Sequence, residues 1–216
     1  MLTSIAAWSS DESDFTRSMA WGDVDNDGDL DLAVGNWNGP NKVYLNESGV
    51  LTSIAAWSSD ESDKTFSVAW GDVDSDGDLD LAVGNGDTPS KVYLNEGGVL
   101  TSVAAWSSDD SDRTRSVAWG DVDNDGDLDL TVGSYGPPNK IYLNKGGVLG
   151  AVAAWSSDDA DDTLSMAWGD VDNDGDLDLA VGHSGANKVY LNEGGVLISI
   201  AAWSSDDSDR TYSMAW

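Results

Sequence analysis

The chain has 216 residues, with 40 acidic side chains against 10 basic ones, a net charge of −30 and no cysteine. That balance excludes nucleic acid and anionic membrane surfaces as partners, and the missing thiols exclude a disulfide-held scaffold. Hydrophobic residues nevertheless make up 40% and include eleven tryptophans, enough apolar surface to order so acidic a chain.

Taken in order, Met1 leads into LTSIAAW without a basic segment, an apolar core or a small-residue cleavage site. A secretion signal is therefore expected outside this chain, or the chain is an excised piece. No apolar run approaches the roughly 18 residues of a membrane-spanning helix. Leu2 to Trp8 reads as a strand, and the acidic segment SSDESD, with Asp11, Glu12 and Asp14, leads to a second strand from Ser18 to Val24. An aspartate-rich loop follows, then strands over Leu30 to Gly35, Lys42 to Asn46 and, after the turn Glu47-Ser48-Gly49, Val50 to Trp57. Alternation of period two and frequent glycines argue strand over helix.

The pattern then recurs. Trp21, Trp70, Trp119 and Trp168 stand 49 residues apart, with Trp216 after 48, and Trp8, Trp57, Trp106, Trp155 and Trp203 keep the same spacings. The missing residue falls between Gly182 and Lys188, a place where length varies freely and so a surface loop. Four short strands in about 49 residues is the size of a β-propeller blade. The expected fold is all-β, a propeller of four-stranded antiparallel blades. An N-terminal outer strand and loop occupies 1–17, followed by blades at 18–66, 67–115, 116–164 and 165–209 and an inner strand at 210–216. The tryptophans are expected to pack between blades, with sugar stacking as the alternative.

Each repeat carries one loop of five aspartates in nine residues: Asp23, Asp25, Asp27, Asp29 and Asp31; Asp72, Asp74, Asp76, Asp78 and Asp80; Asp121, Asp123, Asp125, Asp127 and Asp129; Asp170, Asp172, Asp174, Asp176 and Asp178. Carboxylates this close repel one another unless a cation lies among them. Carboxylates at positions 1, 3 and 5, a glycine at 6 and a carbonyl at 7 form the oxygen cage calcium accepts. The loop closes with an aspartate at position 9, where an EF-hand has a glutamate at 12. About four calcium ions per chain are expected, each with four carboxylates and the carbonyl of the position-7 residue, and they leave a charge of about −22. The affinity typical of extracellular calcium modules leads to an expected extracellular or cell-surface location.

The run AWGDVDNDGDLDLAVGN followed by NKVYLNEGG resembles the FG-GAP or VCBS-type repeats of bacterial surface proteins, which are related to the blades of integrin α-subunit propellers. The resemblance covers essentially the whole chain. It implies calcium bound by the aspartate loop between the first and second strands of every blade, with members differing in what else they bind.

The ends pose a problem of closure. Leu2 to Trp8 is a fourth strand and Thr211 to Trp216 a first strand, so a fifth blade would lack its middle strands. A four-bladed ring with overhangs, an assembly whose chains share strands, and a segment of a longer array all remain open; free strand edges favour the last two, hence pairing with other copies of the chain. The copies disagree at two places: the loop between second and third strands (Trp37, Asp87, Tyr135, His183) and the entry to the first strand (Phe15/Arg17, Lys64/Phe66, Arg113/Arg115, Asp162/Leu164, Arg210/Tyr212). Both loops are expected on the face opposite the calcium loops, making Trp37, Tyr135, His183, Arg17 and Arg115 candidates for contact with glycans or surface proteins. The SSDESD-type segments are expected as solvated caps, with weak cation sites as the alternative. With no nucleophile–base pair, phosphate loop or histidine cluster, the expected function is non-enzymatic: a calcium-stabilised module for adhesion or self-assembly, or alternatively a lectin with structural calcium.

Overall fold

A computed structural model describes residues 7–136, 138–159 and 161–215. Four four-stranded antiparallel sheets follow one another along the chain, each meandering in sequence order. The first contains β1 (Thr16–Gly22), β2 (Asp31–Asn36), β3 (Lys42–Tyr44) and β4 (Trp57–Ser58). The second contains β5 (Thr65–Gly71), β6 (Asp80–Asn85), β7 (Lys91–Tyr93) and β8 (Trp106–Ser107). The third contains β9 (Thr114–Gly120), β10 (Asp129–Ser134), β11 (Lys140–Tyr142) and β12 (Trp155–Ser156). The fourth contains β13 (Thr163–Gly169), β14 (Asp178–His183), β15 (Lys188–Tyr190) and β16 (Trp203–Ser204).

The second strands of the first three blades are buried at every position: those of blades 2 and 3 lie between neighbouring blades, and β2 of blade 1 is covered by blade 2 on one face, with Trp8, Leu51 and Ala55 packed against the cluster of Leu32, Val34 and Tyr44. First strands of successive blades stand side by side, β1 by β5, β5 by β9 and β9 by β13. Blade-to-blade contact rests on two tryptophan series. Trp70 of blade 2 lies on Gly22 of blade 1 so closely that a Cβ on that glycine would be 2.6 Å from the indole, and its Nε1 donates to the Ala20 carbonyl at 3.3 Å. Trp119 does the same to Gly71 and Ala69. In the other series Trp57 meets Tyr93 of the next blade edge-on at 5.2 Å, and Trp106 meets Tyr142 at 4.9 Å. At the seams both series therefore pack between blades, as their spacing implies, while Trp21 and Trp203 at the two ends of the array stay exposed.

Strand boundaries differ from the expected ones where Asp31 and its equivalents intervene. The first strand stops at Gly22 because the Val24 amide donates to the Asp31 carboxylate at 2.9 Å, leaving the ladder. The third stops at Tyr44 because the Asn46 amide donates to the other oxygen of the same carboxylate at 2.7 Å. The fourth strand shrinks most, from Val50–Trp57 to Trp57–Ser58. Asn46 bridges Leu51 while Val43 pairs with Trp57, so three steps along the third strand face six along the outer segment. The surplus bulges outward and exposes Ile54, as it exposes Val103, Val152 and Ile200 in the other blades.

At the ends, residues 2–6 of the expected N-terminal strand and Trp216 lie outside the described residues. Residues 211–215 form no strand, contrary to expectation, because no second strand stands beside them to complete a ladder. They nonetheless occupy a first-strand place: Thr211 N donates to His183 O at 3.0 Å and Met214 N to Ser165 Oγ at 2.9 Å, as Met166 N does to Ser116 Oγ one blade earlier. Blade 4 shows no comparable packing against blade 1 among the described residues. The arc is open, and Met19 and Trp21 on the leading face of blade 1 are 66% and 58% exposed, whereas Val68 and Met166 at the Met19 position are buried.

Candidate metal centres and the variable rim

In each aspartate loop the turn is made by two residues of left-handed backbone. Asn26, Ser75, Asn124 and Asn173 at position 4 have φ of 58°, 59°, 58° and 62°, and Gly28 and its copies at position 6 have φ of 95° to 98°. Glycine takes the latter conformation without steric cost, and asparagine tolerates the former better than serine does. The position-1 carboxylate holds the turn from inside: Asp72 accepts from Asp76 N at 3.1 Å and from Gly77 N at 3.0 Å.

Four carboxylate clusters result, with ligand atoms within 4.8 Å of one another. Blades 2, 3 and 4 bring together positions 1, 3 and 9: Asp72, Asp74 and Asp80; Asp121, Asp123 and Asp129; Asp170, Asp172 and Asp178. Blade 1 gathers Asp23, Asp25 and Asp27 instead, without Asp31. Asp76, Asp125 and Asp174 stay outside these groups, each carboxylate capping the amide two residues on. The position-7 side chains of Asp29, Asp78, Asp127 and Asp176 turn away to accept from the amides of Ser48, Gly97, Gly146 and Gly194 in the turn after the third strand.

The position-9 carboxylate is the structural pivot. Asp80 is buried and accepts from Val73 N at 2.8 Å and Asn95 N at 2.8 Å, and burial pushes its pKa up to about 6, as it does for Asp129. Fit to a cation is testable on the orphaned atoms: Asp74 Oδ1 and Asp123 Oδ1 are buried with no hydrogen-bond partner, and both face a cluster of acceptors. A hard divalent cation satisfies such atoms where no donor does.

The loops also sit on the seams between blades, which sequence spacing did not reveal. Asn95 of blade 2 donates to Val24 O of blade 1 at 2.7 Å, and Asn144 of blade 3 to Val73 O at 2.6 Å. Asn26 reaches Asp78 in the next loop at 2.6 Å, and Asn124 reaches Asp176 at 2.7 Å. Ser75 occupies the same place between blades 2 and 3 and is too short for that bond.

The acids of the SSDESD-type segments are not bare. Lys42 on β3 pairs with Glu12 at 2.9 Å and with Asp14, and Tyr44 donates to Glu12 at 2.8 Å, with burial and that carboxylate pushing the phenol up to about 12. Lys91 pairs with Glu61 and Asp63, Lys140 with Asp110 and Asp112, and Lys188 with Asp159 and Asp161. A lysine ammonium thus occupies the place suggested for a weak cation.

Of the variable residues, most gather on one rim. Trp37 packs edge-on against Phe66 at 4.9 Å, and the guanidiniums of Arg17 and Arg115 lie 5.1 Å from the Trp37 ring and 3.6 Å from the Phe66 ring respectively. Tyr135 lies beneath Arg113 and Arg115 at 5.3 and 5.1 Å. His183 departs from this group: it ends β14 fully buried, its Nδ1 3.0 Å from Ala186 O, and it offers nothing to an external ligand. The sequence did not signal that each first strand carries a bulge, which falls at Arg17, Phe66, Arg115 and Leu164.

The FG-GAP-like repeat family matches residues 23–83, 72–132 and 127–181, well over half of the chain. No curated protein matches. Among solved structures, the fold is similar to BBS1N in complex with ARL6DN, soaked with lead, at a TM-score of 0.60 and 18% identity over 91% of this chain and 53% of that one. The mercury-soaked structure of the same complex matches at a TM-score of 0.54 and 19% identity, over 84% and 52%. The chain spans about half the length of these solved chains. At such identity the likeness shows the propeller fold alone, and the protein is an all-β repeat module. The expected extracellular or surface location is corrected by the same finding. It rested on the affinity class of extracellular calcium modules, whereas the propeller matched is BBS1N in complex with ARL6DN, and the location is withdrawn.

Proposed function

We propose, because the chain belongs to the FG-GAP-like repeat family, that it is a calcium-stabilised propeller module whose work is to dock a protein partner. In this reading the units are the blades at 18–66, 67–115, 116–164 and 165–209. The groups to hold calcium are the carboxylates at positions 1, 3, 5 and 9 of each loop and the carbonyls of Asp29, Asp78, Asp127 and Asp176. Bound calcium supplies positive charge to clusters that otherwise repel, and the buried unpartnered oxygens of Asp74 and Asp123 support this assignment. Since the folded loop binds far better than the unfolded chain, stability rises as RT ln(1 + [L]/Kd), about 2.7 kcal/mol per independent site at 100-fold saturation. Metal analysis of dialysed protein and melts with and without EDTA test this: about four calcium ions and a sharply lower melting temperature in EDTA are expected, and an unchanged melt overturns it.

The observation that carries the docking role is the leading face of blade 1. Met19 and Trp21 lie open in the register that Val68 and Trp70 use to grip the glycines of the blade before. Such a surface is complementary to a further blade of the same kind, and in a solution of this chain alone that blade comes from a second copy. The similar propeller solved in complex with ARL6DN is an instance of this fold bound to a protein partner. Sedimentation velocity is expected to show concentration-dependent association that Trp21→Asp abolishes; a monomer at every concentration overturns the self-docking reading while leaving the calcium assignment intact.

A further inference from the structure

Of the ten basic residues of this chain, six are lysines and four arginines; five of the lysines are paired, and Lys145, exposed in the turn after β11, forms no ion pair among the described residues. Lys42, Lys91, Lys140 and Lys188 are each held by two carboxylates, and Lys64 is held by Asp87 at 2.7 Å. All four arginines, by contrast, enter first strands on the variable rim. Three of them, Arg113, Arg115 and Arg210, line one cavity of about 390 Å³ together with Tyr135, Tyr212 and Leu164. Among the described residues, no carboxylate ion-pairs with Arg115 or Arg210, and Arg113 meets only Asp87, at 3.7 Å through Nε.

Uncompensated positive charge is the anomaly in a protein of net charge −30. Stacking of Arg115 on Phe66 at 3.6 Å orients the guanidinium without using its N–H donors. Its Nε is buried and has no acceptor. Burial, followed by the like charge of Arg113, pulls the Arg115 pKa down, the signature of a cation that lacks an anion. The bulges explain the aim: the extra residue between Thr114 and Ser116 leaves the ladder and turns Arg115 toward the rim.

We propose that this cavity is a binding site for an acidic saccharide, its carboxylate or sulfate held by the forks of Arg113, Arg115 and Arg210 and its ring lying against Tyr212. Arginine presents paired donors that match a planar or tetrahedral oxyanion, and this cavity gathers three of the chain's four arginines, with Arg17 lying apart against Phe15 and Trp37. The cavity exceeds what a bare oxyanion fills, and it falls in the range of small-molecule sites. Tyr212 is 67% exposed and supplies an apolar face with a polar edge, and Ser184 adds a hydroxyl at the border. The site lies on the rim between blade 3 and residues 210–212, apart from Met19 and Trp21 on blade 1.

Titration calorimetry of the calcium-loaded protein with glucuronic acid, with glucose as the uncharged counterpart and sodium sulfate as the bare anion, tests the assignment. Glucuronic acid is expected to bind more tightly than either, and Arg115→Gln and Arg210→Gln are each expected to weaken it about tenfold or more. Arg210 is exposed, so an unchanged melting temperature of Arg210→Gln separates lost binding from lost folding. Equal affinity for glucose, equal affinity for sulfate, no heat from any probe, or arginine variants that bind as well as the parent would each overturn the proposal. Trp21→Asp is expected to leave glucuronic acid affinity unchanged, so failure of the docking face and failure of this site are told apart.

Discussion

Trp21 and Trp119 are the same residue at the same register of the same repeat, and they differ in whether a blade covers them. Trp119 lies on Gly71 and donates Nε1 to Ala69 O at 3.3 Å, while Trp21 is 58% exposed. Truncating a packed tryptophan costs about 3–5 kcal/mol; Trp119 is only partly buried, which places Trp119→Ala near the lower end, about 3 kcal/mol. Trp21→Ala removes little buried surface and is expected to cost less than about 1 kcal/mol. For a domain of this size each kcal/mol shifts the melting temperature by about 2–4 °C, so Trp119→Ala is expected to melt about 6–12 °C lower and Trp21→Ala within about 4 °C of the parent. Differential scanning calorimetry in saturating calcium reads both, at a dilution where sedimentation shows monomer. Equal shifts in the two variants under those conditions would mean that blade 1 is covered within the single chain, and the open arc would be refuted.

Ser75→Asn is expected to stabilise by about 1 kcal/mol, because asparagine suits the left-handed φ of 59° and gains the bond to Asp127 that Asn26 makes to Asp78; a melting temperature no higher than the parent's contradicts this. In metal-free protein, Asp80 and Asp129 keep their protons up to about pH 6, while the unfolded chain releases them near pH 4. The native state then holds more protons across that window, so stability is full below about pH 4, falls as pH rises to about 6 and levels off above. Melts in EDTA between pH 4 and 7 are expected to show that fall, and a rise with pH would contradict it. Saturating calcium, which needs the carboxylates ionised, reverses the trend.

The blade and its aspartate loop were legible because both are local. A strand of period two, a glycine at position 6 and a tryptophan every 49 residues are statements about neighbours along the chain, and near-identical copies repeat them four times. Asp31 shows where local reading stops. Its place at position 9 was evident, yet its two oxygens end two strands at once through Val24 N and Asn46 N, and this depends on a residue fifteen positions away. The fourth strand looked regular in sequence and is not, because its length is measured against the third strand and carries a surplus of three residues.

What the sequence by itself determined, then, is the repeat, its all-β character and the presence of four carboxylate loops, all set by backbone preference and short-range charge. Tertiary structure alone decided which tryptophan is covered, which acids are neutralised by lysine, and which arginines are left without a partner. Burial and pairing depend on what the neighbouring blade presents across the seam. Trp21 and Trp70 stand in nearly the same sequence context, SMAWGDVD against SVAWGDVD, and the presence of a preceding blade leaves the one exposed and the other packed against the core.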